Sequence, residues 1–148
     1  LLPRNADVEL TRSLVRAITR NCDLPLWVKL PLDRAVGLAS VAVEAEAVGL
    51  VVGLPLGGAA AYQGVNAAAG AIVNGALFGP LTFAPMLAGL LAVAKLNLPC
   101  ALIAAGGIHT IAQAQQALAT GAHAIQIDSA LWVEPGLPGL MVEATTSY

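Results

Sequence analysis

Charged and aromatic side chains are scarce in this sequence. Aromatic residues make up 4% of the 148 residues and charged residues 11%, whereas 57% are hydrophobic. We therefore expect an aliphatic, alanine-rich core, and the length suits one domain over residues 1–148. The formal net charge is −2, and no basic cluster follows the first 20 residues. This charge pattern disfavours a nucleic-acid partner.

Cysteine and histidine are rare as well. Cys22 and Cys100 are the only cysteines and do not have the spacing of a metal or redox motif. We expect both to be reduced, buried thiols. His109 and His123 lack cysteine or carboxylate partners at ligand spacing, so no metal site is predicted and packing roles are expected. The chain starts without an initiator methionine, from which we expect a fragment or a processed chain.

Charge is absent from the whole stretch Ala47–Ala94. One hypothesis is therefore a membrane-associated protein. Its most apolar part, Gly79–Ala94, reaches only about 16 residues, contains Pro80 and Pro85 and ends at Lys95. A spanning helix needs roughly 20 residues. Strands of a parallel sheet that is covered on both faces are also uncharged, and we favour that interpretation.

A strand–helix–strand pattern occupies the region from Pro99 to Ser129. The apolar run Cys100–Ala105 ends at Gly106-Gly107. Thr110 is placed to cap a helix over Ile111–Thr120, and Gly121 suits the left-handed residue after it. The second apolar run, Ala122–Ile127, then indicates another strand. Together these form a βαβ unit with parallel strands.

Four strands are predicted in all, at about 26–30, 50–54, 100–105 and 123–128, and each is followed by a helix or a helix-like segment. The pattern indicates an α/β fold, either half of a (β/α)8 TIM-type barrel or an open doubly wound sheet. Gly57–Gly79 is expected to be a long loop with a short hairpin and a tight turn at Asn74-Gly75. A half barrel has two exposed edges, so we expect association with another copy or with a complementary half, or low solubility.

Candidate site residues lie where the predicted strands end, since active sites of such barrels lie at that edge. Lys29 could hold an anion or stabilise a reduced cofactor or an enolate, or simply reach water. Gly106-Gly107 could cradle a phosphate or only provide a turn that needs positive dihedral angles. Asp128-Ser129 could bond a ligand hydroxyl or cap the next helix, and capping is the preferred interpretation.

From about Pro25 onwards the chain resembles the C-terminal half of the dihydroorotate dehydrogenases, in particular their cytosolic class. Six segments carry the resemblance, and they occur in the same order as in the family. They are Leu26–Pro31 with its lysine, Ala45–Val52 as a helix end and strand, Asn74–Pro80 before a helix, Ala104–Thr110 with its Gly-Gly-Ile turn, Thr120–Ala130 as the final strand and Trp132–Pro135 after it. The resemblance implies the FMN-binding barrel of that family, an oxidoreductase of CH–CH bonds that converts dihydroorotate to orotate in pyrimidine synthesis. It also implies a cytoplasmic location.

The resemblance also implies roles for individual residues. Lys29 would lie against the flavin ring and the orotate-like substrate as the catalytic residue. The other FMN contacts would be Gly75, Gly106, Gly107, Asp128 and Ser129, the last two standing where the family has a Gly-Thr phosphate contact.

Several positions depart from the family pattern. The active-site base, a cysteine in this class, lies upstream of the first residue here. Leu54-Pro55 replaces a substrate-binding Asn-Thr pair, Asn74 replaces a glycine and Phe78 a serine, and Asp128 replaces the glycine before the phosphate contact. These departures support a second hypothesis, a non-catalytic barrel remnant or structural partner subunit.

Overall fold

The computed structural model describes residues 2–3, 5–61 and 71–145, with the backbone alone for Leu54. Helices and strands alternate along this part of the chain, apart from three consecutive strands between the second and third helices. Short 3-10 turns precede two of the helices and follow the last strand. The elements are α1 Val8–Thr19, β1 Trp27–Pro31, α2 Ala35–Glu44, β2 Gly49–Leu54, β3 Gly57–Ala61, β4 Ile72–Ala76, α3 Phe83–Ala94, β5 Ala101–Ala105, α4 Ile111–Ala119, β6 Ala124–Gln126 and α5 Leu137–Thr145.

Four strands form one parallel sheet in the order β1-β2-β5-β6. They are the four strands that the apolar runs predict, and the fold is the predicted half of a (β/α)8 barrel. The sheet is not closed, because β1 and β6 each pair with one strand only in the described part of the chain. The remaining strands, β3 and β4, form a separate antiparallel pair.

The two faces of the parallel sheet have different surroundings. On one face Leu30, Val52 and Ala104 are in register, and all three have 0% exposure because the helix layer packs against them. Met86 and Leu90 of α3 belong to the same buried cluster. Side chains along a strand point alternately to the two faces of the sheet, so the opposite face carries the remaining residues of each strand. That face is the one that a closed barrel would enclose.

The predicted ends of α4 are confirmed. The Thr110 hydroxyl accepts a hydrogen bond from the Gln113 amide at 3.2 Å, which satisfies one of the free donors of the first turn. Gly121 follows the helix with a φ of 112°, a dihedral angle that residues with a Cβ rarely adopt.

The hairpin is also confirmed, but its turn is not where the Asn-Gly pair predicts it. Asn74 and Gly75 lie inside β4, paired with Ala59 and Gly58. The connection between the two strands falls on residues 62–70, outside the described part of the chain. An Asn-Gly pair favours a turn only where the chain must reverse, and here the surrounding strand pairing overrides that local preference.

The expectation of two buried thiols is wrong for Cys22. This residue follows α1 and is exposed, whereas Cys100 is half-buried before β5. Burial raises the pKa of the Cys100 thiol.

The uncharged stretch from Ala47 to Ala94 is divided among β2, the hairpin and α3. The last of these has 12 residues, against roughly 20 for a helix that crosses a bilayer. Among the described residues, no helix has both the length and the apolar character needed to span a membrane.

Candidate functional site

A cleft opens at the carboxyl ends of the parallel strands, on the face of the sheet away from the helix layer. It encloses about 530 Å³ of empty space, a figure that includes its open mouth. Because the strands are parallel and in register, the loops that follow β1, β2, β5 and β6 converge there. Five of the predicted site residues line this cleft: Lys29, Gly106, Gly107, Asp128 and Ser129.

Gly75 is the predicted residue that the structure does not bring to the cleft. It lies on β4 and is exposed, beside Gly57, Gly58 and Asn74. Other residues of the segment Asn74–Pro80 do reach the cleft, since Leu77, Phe78 and Gly79 line it. The FMN contact of Gly75 therefore stays a prediction.

Lys29 is the cationic residue among those that line the cleft. It lies on β1 beside Val51 of β2, and its side chain is half-buried. Burial lowers the pKa of Lys29, and the Asp128 carboxylate opposes this by raising it. The two side chains form no ion pair within 4 Å in the described structure. The ammonium group is therefore partly stripped of water without being bound to a carboxylate, which favours interaction with a ligand.

Gly106 and Gly107 make the turn between β5 and α4. Their φ angles are 135° and 68°, so the prediction of a turn with positive dihedral angles is confirmed. A Cβ atom on Gly107 would lie 2.7 Å from Phe83 Cα and 2.8 Å from the Thr82 carbonyl carbon. The backbone of the turn thus packs directly on the start of α3, and this contact alone requires glycine at position 107.

Two backbone amides beside this turn are free to bind a ligand. Gly107 and Ile108 are buried residues that line the cleft. Neither amide donates a hydrogen bond to any acceptor within residues 2–3, 5–61 and 71–145. Successive amides with glycine dihedral angles form concave sites for anions.

Asp128 does not cap the helical turn that follows β6. It is exposed, and its side chain makes no capping hydrogen bond to the 3-10 turn Ser129–Trp132. The preferred sequence interpretation is therefore wrong, and the carboxylate stays beside the cleft. Its backbone dihedral angles, φ −135° and ψ −86°, differ from the extended conformation of a residue that caps a helix.

The Ser129 hydroxyl has a partner that sequence reasoning missed. His109 Nε2 lies 3.1 Å from Ser129 Oγ, so this side chain bridges the loops after β5 and β6 rather than only packing. The other histidine has a different role, since His123 Nδ1 accepts a hydrogen bond from the Leu102 amide at 3.1 Å. His109 and Ser129 are 20 residues apart in the sequence. The signal that could have found this contact is that the two residues follow β5 and β6, which are neighbours in the sheet.

The parallel sheet and its helix layer make the chain a half (β/α)8 barrel with a cleft at the carboxyl ends of its strands. No protein-family model matches the chain, and no curated protein matches it either. Solved structures do match the chain, and the similarity shows that its fold is dihydroorotate dehydrogenase-like.

Two of these structures are of dihydroorotate dehydrogenase from Eimeria tenella. The ligand-free enzyme has a TM-score of 0.72 at 18% identity, over 93% of this chain and 45% of that chain. The complex with ferulenol has a TM-score of 0.66 at 19% identity, over 93% of this chain and 43% of that chain. This chain thus spans less than half the length of either enzyme, and the likeness is one of fold.

Substitution of Gly107 tests the close contact at the turn. We expect Gly107→Ala to lower the free energy of unfolding by about 2–4 kcal/mol, because the new methyl group meets the Phe83 backbone at a positive φ. Gly136→Ala is the matched control, since an added Cβ there meets nothing within 4 Å, and we expect a change within about 0.5 kcal/mol. Equal denaturation midpoints for the two variants would contradict the contact.

Proposed function

We propose that this chain is the cofactor-holding half of a dihydroorotate dehydrogenase-like flavin oxidoreductase, and that FMN binds in the cleft. The observation that carries the proposal is the convergence of Lys29, the Gly106-Gly107 turn and Ser129 at one mouth of the sheet. We also propose that residues 1–148 form one domain. The dihydroorotate to orotate reaction, its place in pyrimidine synthesis and a cytoplasmic location belong to the same proposal.

The phosphate of FMN fits the end of the cleft formed by the loops after β5 and β6. Gly107 and Ile108 are buried residues, and their amides have no acceptor within the described residues. A phosphate group accepts several hydrogen bonds, and backbone amides with a serine hydroxyl are a common donor set for it. Ser129 supplies the hydroxyl at the same end.

Lys29 is the residue that we propose for the catalytic role. Its partial burial destabilises the charged form, and an anionic partner would offset that cost. When bound, FMN would supply the hydride-accepting chemistry. Lys29 would hold negative charge that develops on the flavin ring or the substrate, as a fixed cation in a poorly hydrated site does.

The substrate side of the site is incomplete in this chain. Leu54, the last residue of β2, and Pro55 stand where the resemblance places a polar pair, and Pro55 lines the cleft. Neither side chain has a group that hydrogen-bonds a carboxylate or a ring amide. We therefore propose that the proton-abstracting base and the groups that recognise an orotate-like substrate come from the other half of a barrel.

A non-catalytic barrel remnant is the second candidate, and Asp128 favours it. This carboxylate lies beside Ser129 at the phosphate end of the cleft. At about 4 Å from a phosphate it would cost on the order of 1–4 kcal/mol, depending on the effective dielectric constant. The two candidates differ in whether the cleft retains measurable affinity for FMN.

We further propose that the half barrel associates, either with a second copy or with a complementary half. The outer edges of β1 and β6 carry no strand partner in the described structure. The face that a barrel would enclose includes Trp27, which is 40% exposed, and the exposed Ala124. Open strand edges next to apolar surface favour pairing with another chain.

Titration with FMN tests the cofactor proposal, with flavin fluorescence as the readout. We expect the wild-type chain to bind, Lys29→Met to weaken binding roughly tenfold through loss of a charged partner, and Lys95→Met to leave it unchanged. Lys95 is the matched control because it is the other lysine of the chain and follows the C-terminal end of α3, away from the cleft.

Asp128→Asn is the variant that separates the two candidate functions. We expect it to strengthen FMN binding by roughly 3- to 10-fold, because it removes a like charge near the phosphate. A wild-type chain and an Asp128→Asn variant that both fail to bind FMN would contradict the cofactor proposal and support the remnant.

Sedimentation velocity tests association. We expect the wild-type chain to sediment as a dimer or larger species and Ala124→Glu to shift it towards monomer, because the charge enters the open face of the sheet. Ala112→Glu, on an exposed position of α4, is the matched control and should leave the distribution unchanged. A wild-type chain that remains a well-dispersed monomer at all concentrations would contradict the proposal.

A further inference from the structure

The hydroxyl of Ser129 can serve an anion only if its own proton is available. A serine hydroxyl has one hydrogen to donate and two lone pairs that accept. If the 3.1 Å contact sends that hydrogen to His109 Nε2, the oxygen can only accept from a ligand. If His109 instead donates Nε2–H to Ser129 Oγ, the serine hydrogen is left to donate into the cleft.

The backbone that carries the imidazole is held in place by the start of α4. The Gln113 side chain accepts a hydrogen bond from the His109 amide at 2.8 Å, and the Gln113 amide donates to the Thr110 hydroxyl at 3.2 Å. This reciprocal arrangement resembles a capping box and satisfies donors on both sides of the helix start. The neighbouring residue Ile108 is buried. His109 is therefore presented to Ser129 from a locally rigid loop.

The surroundings of the pair favour the arrangement in which histidine donates. Asp128, the residue next to Ser129, carries a carboxylate that accepts hydrogen bonds and does not donate them when ionised. A phosphate in the cleft would likewise be an acceptor. Lys29 also lines the cleft and is acted on by the Asp128 carboxylate, but no hydrogen bond joins it to His109 or Ser129 in the described structure. A ligand that only accepts hydrogen bonds is satisfied when the imidazole donates to Ser129 Oγ and the serine hydrogen points at the ligand.

We propose that His109 is a positioning residue for the anionic group of the ligand. It donates Nε2–H to Ser129 Oγ and thereby directs the serine hydrogen at a phosphate oxygen in the cleft. The ligand chemistry is that of a phosphate monoester, and the identity of this ligand as FMN rests on the proposed function above.

A double-mutant cycle with two flavins tests this role. We expect His109→Ala to weaken FMN binding roughly 5- to 20-fold, as expected for loss of a hydrogen bond to a charged group. Ser129→Ala should cause a similar loss, and the double variant should show no further one. His109→Gln keeps a donor at the position of Nε2 and should restore most of the affinity. Riboflavin, which lacks the phosphate, should bind wild type and His109→Ala equally.

Several results would overturn the role of His109. Additive losses in the double variant, or an equal loss for riboflavin, would show that His109 acts only on the general structure of the loop. A second measurement does not depend on flavin: the nitrogen NMR signal of His109 Nε2 at neutral pH. A protonated Nε2 that changes its shift when inorganic phosphate is added supports the proposal, and an unprotonated Nε2 contradicts it. Failure of both the wild type and Asp128→Asn to bind FMN would contradict the proposed function and leave the NMR result to decide on His109.

Discussion

The parallel pairing of four strands is the constraint on which the rest of the structure depends. Register places Lys29, Val51, Ile103 and Ala124 across one face of the sheet, so the carboxyl ends of all four strands meet at one edge. Loops that are up to about 100 residues apart in sequence therefore form one cleft. The helices stabilise this arrangement from the other face only, and that asymmetry leaves the cleft face open.

The cleft contains hydrogen-bond donors that could bind an anion and that have no partner of their own in the described structure. Lys29 is partly stripped of water, which costs free energy in the folded chain. The amides of Gly107 and Ile108 have no acceptor within the described residues. An anionic cofactor would accept hydrogen bonds from the amides and pair with the lysine. Asp128 would reduce the binding free energy, because it places negative charge beside Ser129 in the same cleft.

Much of the fold could be predicted from the sequence, because apolar runs, Gly106-Gly107 and Thr110 are signals that depend only on neighbours in the chain. The errors arise where a tertiary contact decides the outcome. Asn74-Gly75 is drawn into β4 by pairing with β3. Asp128 stands at the start of the 3-10 turn as predicted, but its side chain makes no capping hydrogen bond. The His109–Ser129 contact joins two loops, and no pattern of neighbouring residues predicts it. The resemblance of the ordered segments predicted the dihydroorotate dehydrogenase-like fold, which the structure neighbours share.

The proposed function requires that the turn after β5 receives the phosphate of a flavin nucleotide. Amide NMR spectra of the labelled chain during addition of FMN measure this. We expect the signals of Gly107, Ile108 and Ser129 to move furthest, inorganic phosphate to move the same signals, and riboflavin to leave them unchanged. Shifts confined to other parts of the chain, or no shifts at saturating FMN, would contradict it.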